Sequence, residues 1–67
     1  MSGASRLLNR LMQALQELDV GVSSSAAKRN PLTSINRGLS RAGASRIADL
    51  NDVASIRRAL AFVERLL

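Results

Sequence analysis

The chain has 67 residues, ten basic and five acidic side chains for a net charge of +5, and neither Cys nor His. Those absences exclude a disulfide framework and the usual zinc sites, so apolar packing, self-association or docking must stabilise what amounts to one small domain. No apolar run approaches the roughly 18 residues of a membrane span.

Met1 to Ala4 is expected to be a loose end. Arg6, Arg10, Gln13 and Gln16 interrupt any secretory h-region, and Glu17 and Asp19 argue against a transit peptide. From Ser5 the pattern S-R-L-L-N-R-L-M-Q-A-L-Q-E-L predicts a helix to about Asp19. Leu7, Leu11, Ala14 and Leu18 form one seam, and Leu8, Met12 and Leu15 form a second beside it. An apolar face that broad suits a helix laid on a core rather than a two-stranded zipper. The charges oppose the helix dipole, with Arg6 and Arg10 near its positive end and Glu17 and Asp19 near its negative end. In isolation this helix should fray.

Gly21 stands where a left-handed, helix-ending residue is expected. The G-V-S-S-S-A-A-K-R-N stretch that follows predicts a flexible loop over 20–30, closed by the basic pair Lys28 and Arg29. Asn30-Pro31 then starts a second helix, Asn30 as cap and Pro31 at the first turn, where its missing N–H is no loss. Leu32, Ile35, Leu39 and Ala42 make its seam, Gly38 lies within it, and Gly43 stops it.

Ala44 to Leu50 is ambiguous. One reading has a short turn that brings Ile47 and Leu50 inward before a last helix starts at Asn51. The other runs helical from Ser45 to Leu67, because Ile47, Leu50 and Val53 continue the seam. The broken version is preferred. Within the last helix Val53, Ile56, Leu60, Val63 and Leu67 are spaced by three, four, three and four, which keeps one face apolar for four turns. Asn51 is the expected N-cap, and Asp52 and Arg65 complement the dipole at either end. Phe62 points about 130° away from that face at 100° per residue, with Ser55, Ala59 and Leu66 beside it. There is no internal repeat.

Catalysis fails on inventory. Without His, Cys or Tyr, a nucleophilic mechanism would need a Ser activated by Lys28 or a carboxylate, and the serines sit in turn and cap contexts. Glu17, Asp19, Asp49, Asp52 and Glu64 show no metal-ligand spacing, and G-L-S-R-A-G lacks the Lys and the strand of a phosphate loop.

The bases carry more information. Nine of the ten are Arg, and five bases, Lys28, Arg29, Arg37, Arg41 and Arg46, follow one another without an acid between positions 28 and 48. Arg37 and Arg41, four apart, share a helical face. The segment L-S-R-A-G-A-S-R-I-A-D-L, from Leu39 to Leu50, resembles helix-hairpin-helix DNA-binding units, although it has only one turn glycine. That resemblance implies two short helices joined by a tight turn. With Phe62 the only aromatic, stacking on single strands is not expected, and any contact with nucleic acid would be to phosphates.

The sequence thus predicts an all-α protein: a single small helical domain over 1–67, folded as a helical hairpin or small three-helix arrangement with a flexible Ser-rich loop. Its helices should cover about 5–19, 31–42 and 45 or 51 to 67. The expected function is non-catalytic protein–protein interaction, by self-assembly or by docking as a small subunit of a larger complex, through Phe62, Leu66 and Ala59. The alternative is a basic nucleic-acid-binding protein contacting phosphates through Lys28, Arg29, Arg37, Arg41 and Arg46. A membrane surface fits less well, because the broad-faced first helix has no basic excess. No cofactor, metal or small-molecule substrate is expected. With no secretory signal or spanning segment in evidence, the default expectation is an intracellular location.

Overall fold

A computed structural model describes residues 3–67, and it is all-α. Four helices follow in order: α1 (Gly3–Leu18), α2 (Ser24–Arg29), α3 (Pro31–Ala42) and α4 (Val53–Leu66). No strand occurs among the described residues. The first helix starts earlier than its pattern suggested, and Ala4, expected in a loose end, is 6% exposed and part of the core. Met1 and Ser2 lie outside the described residues.

The broad face of α1 finds the surface it needs. Leu11, Ala14 and Leu15 are buried, Leu7, Leu8 and Leu18 pack against the same core, and the most extensive partner of α1 is α4. Arg10 reaches across to Glu64 at 3.4 Å, but both side chains are about half exposed, so this pair contributes little. Burial of the apolar face, not charge, holds α1 in place. The radius of gyration is 10.3 Å, close to the roughly 11 Å of a compact chain this long, so the helices fold onto one another within a single copy.

Two turns depart from the predicted chemistry. Asp19, not Gly21, takes the first left-handed position after α1, with φ of 61°. Asp tolerates that region because its short polar side chain can bond locally. Gly21 is left-handed too, and the guanidinium of Arg41 lies where its Cβ would be. The Ser-rich segment, expected to be loop throughout 20–30, contains α2. Ser23 makes that helix possible by accepting a hydrogen bond from the Ala26 N–H at 3.2 Å, and Gln16 of α1 donates to Ser24 at 2.9 Å. Ala27 is then buried, which anchors a stretch whose composition reads as mobile.

Pro31 opens α3, whereas Asn30 makes no side-chain cap. The helix ends in a Schellman turn: Gly43, at φ of 82°, donates to the Ser40 carbonyl at 3.1 Å, and Ala44 donates to Leu39 at 2.8 Å. At Gly38, α3 comes close to α1 and the turn that follows it. A Cβ there would lie 2.6 Å from Val22 and 3.2 Å from Leu15, so the glycine supplies space rather than conformational freedom.

Residues 44–52 are not helical, so the continuous helix from Ser45 is not formed. Nor is the second short helix that the resemblance to helix-hairpin-helix units implied, since the chain after Gly43 is irregular as far as Asp52. Ile47 is buried nevertheless and Leu50 is half-buried. Asn51 is not the cap of the last helix; its N–H bonds to the Asp49 carboxylate at 2.8 Å. Asp52 caps α4 instead, accepting from the Ser55 N–H at 3.2 Å and the Ser55 hydroxyl at 2.7 Å. On α4, Ile56, Ala59, Leu60 and Val63 are buried, while Leu67, assigned to the same seam by spacing, is 55% exposed.

The cap of α4 should be readable in pH. The Ser55 hydroxyl and then the Ser55 N–H hold the Asp52 carboxyl below its usual value of 3.8, with a smaller contribution from the charge of Arg58. A folded-state pKa lowered in this way gives stability that is fully present above the unfolded value and is lost as pH falls through the folded one. Denaturation midpoints measured through the acid range should therefore fall below about pH 4. Asp52→Asn, which keeps an N-cap acceptor, should remove part of that fall; an unchanged profile would show that Asp52 does not contribute.

Candidate interaction surfaces

Two surfaces gather the residues with functional potential, and they meet at Arg46. The first lies along α4. Phe62 is 40% exposed, Leu66 48% and Leu67 55%, and these are the large apolar side chains left in solvent among the described residues. Beside Phe62 is an open cavity of about 380 Å³. Ser55, Arg58 and Ala59 line it from α4, and Gly43 to Arg46 line it from the connector. None of its walls comes from α1. Ala59, grouped with Phe62 and Leu66 by position, is 5% exposed and lines the same cavity as Phe62, so it is not an outward contact. Arg58 and Arg65 lie one turn to either side of Phe62, and Arg58 also reaches the Ser55 hydroxyl at 3.4 Å.

The second surface is a groove of about 440 Å³ on the outer side of α3, where Thr33, Arg37, Ser40 and Arg41 face Arg46 of the connector. Helical spacing puts Arg37 and Arg41 together, but Arg46 arrives by a different route. Asn36 is 8% exposed; its amide nitrogen donates to the Ile47 carbonyl at 2.8 Å, and its amide oxygen accepts from the Ile47 N–H at 2.8 Å. This two-bond clamp ties the connector to α3 and holds Arg46, the preceding residue, beside the helix. Arg41 is itself pinned, donating to the Val20 carbonyl at 2.9 Å. Arg37 and Arg46 have no hydrogen-bond or ion-pair partner among the described residues.

The run of five bases is not one surface. Lys28 lines a separate, mostly apolar cavity of about 310 Å³ with Leu8, Met12, Pro31, Ile35 and Leu50. Arg29 is exposed in the last turn of α2, where its charge complements the helix dipole. The structure groups Arg37, Arg41 and Arg46 and leaves the other two apart. Asn36 was missed in the sequence. Its signal was present: an amide on the same face as Leu32, Ile35 and Leu39 must find a buried partner.

Among the described residues no three of His, Cys, Asp or Glu come together as metal ligands, and no helix is long and apolar enough to cross a membrane. Compared with family models, curated proteins and solved structures, the chain matches none.

Proposed function

We propose that the protein is a non-catalytic binding module that docks onto a partner protein through the outer face of α4. The observation that carries this reading is the exposure of Phe62 with Leu66 beside it, where the other large apolar side chains among the described residues, Leu67 apart, are buried or half-buried. An aromatic side chain next to a cavity suits an interface anchor, since such residues dominate binding energies at interfaces. The charge around it favours one kind of partner. Arg58 and Arg65 flank Phe62, so a second copy presenting the same face would bring like charges together, whereas an acidic surface with an apolar pocket would be complementary. Docking onto another protein is therefore favoured over self-assembly.

Phe62→Ala tests the reading. Because Phe62 is only partly buried, the substitution should cost about 1–2 kcal/mol, well under the 3–5 expected of a core aromatic, and leave helix content intact. A photo-crosslinking residue at position 62 should give a discrete adduct with another protein, and one at exposed Gln13 of α1 should not. Adducts confined to a second copy of this chain, with a melting temperature that rises with protein concentration, would point to self-assembly instead. Unfolding of monomeric Phe62→Ala would end the interface reading.

A further inference from the structure

We propose that the α3 groove is a binding site for a phosphate-class polyanion, held by Arg37, Arg41 and Arg46. Three arginines line one cavity, and no carboxylate does. Like charges at i and i+4, as at Arg37 and Arg41, are unfavourable on a helix, and the Asn36 clamp adds a third cation to them. An anion of two or more charges would relieve that repulsion.

The donors suit phosphate better than carboxylate. One guanidinium fork satisfies a carboxylate, whereas the several oxygens of a phosphate can accept from more than one guanidinium at once. Thr33 and Ser40 add hydroxyl donors on the same wall. Arg46 is placed by a buried clamp, so part of the site exists before any ligand arrives, whereas the Arg41 guanidinium rests at the Val20 carbonyl and offers an anion only its remaining N–H donors. Asn36 acts here as a positioning residue, because both polar ends of its amide are occupied by Ile47. The groove has no aromatic side chain to stack on a base, so it would hold phosphate without reading sequence. Its ligand could be a free oligophosphate or the backbone of a nucleic acid.

Arginine side-chain N–H resonances, followed by NMR at low salt, test this. Inorganic pyrophosphate, a short DNA duplex and succinate would be titrated separately into the full chain. Pyrophosphate or duplex should shift Arg37, Arg41 and Arg46 and leave Arg57 and Arg29 unmoved, and succinate should bind far more weakly. Arg37→Gln and Arg46→Gln, both on exposed residues, should each weaken binding about tenfold while leaving the melting temperature nearly unchanged. Shifts with pyrophosphate and not with duplex would assign a free oligophosphate as the ligand. Tighter duplex binding, with a salt dependence that falls by about two contacts in the double variant, would assign nucleic acid. Uniform shifts across all arginines, equal binding of succinate, or affinities unaffected by both substitutions would overturn the site.

Discussion

Replacing Leu15 with Ala should leave a large fraction of the protein unfolded at room temperature. Leu15 is fully buried on α1, and its side chain lies against the point on α3 where Gly38 admits close approach. Removing it deletes apolar contacts and opens a cavity that the stiff, close-packed helices can fill only in part. Leu→Ala changes at such sites cost about 2–5 kcal/mol. The total stability of a domain this size is only about 3–10 kcal/mol, so the loss is comparable to the whole. Denaturant titration followed by circular dichroism should show the midpoint collapse. Met12→Ala, at a half-buried position on the same helix, should cost much less. A Leu15→Ala protein within about 1 kcal/mol of the parent would contradict the packing of α1 over α3 described here.

Asn36→Ala should have the second-largest effect, for a different reason. It removes both hydrogen bonds to Ile47 and leaves the N–H and C=O of that residue without partners. Each buried orphan costs about 1–3 kcal/mol, so the pair would cost about 2–6 if left dry, and less to the extent that water from the neighbouring groove replaces the amide. The loss should also be local. Amide hydrogen exchange ought to rise first across residues 44–52, ahead of α1 and α4, because the clamp is what ties that segment down. Asn36→Asp refines the test: its carboxylate can still accept from the Ile47 N–H but has no donor for the Ile47 carbonyl. Protonating it would restore that donor, so the connector of this variant should be better protected at mildly acid pH than at neutral pH. Equal exchange in the connectors of parent and variants would show that the clamp does not hold them.

Features that depended on spacing along one helix were mostly legible in the sequence, with Leu67 the exception, since it continues the step pattern of α4 yet lies exposed past the helix end. The step pattern of Ile56, Leu60 and Val63 marked the buried face of α4, and its angular offset set Phe62 off that face but left open whether α1 covered it. Pro31 and Gly43 marked the two ends of α3, because the fixed φ of one and the left-handed φ of the other act within a single turn. The pairing of Arg37 with Arg41 followed from the same periodicity. Caps were less secure. Asn51 and Asp52 are both good N-caps, and the choice between them depends on where the connector delivers the chain.

Other features were decided only when the helices packed. The Ser-rich segment reads as a loop by composition, yet burial of Ala27 and the Gln16–Ser24 hydrogen bond supply the energy that its propensity lacks. Charge along the chain made Lys28 and Arg29 look continuous with the later arginines, but α2 carries them away from the α3 groove. Arg46 joins Arg37 and Arg41 because an amide eleven residues from Ile47 closes on it, a contact between segments that no local period encodes. The sequence by itself determined an all-α chain and the inward faces of its helices, since those follow from 3.6-residue periodicity and local backbone preference. Tertiary structure decided where the connector runs and which cations share a groove, because both depend on one buried hydrogen-bonded pair between residues far apart in a helix-and-connector path.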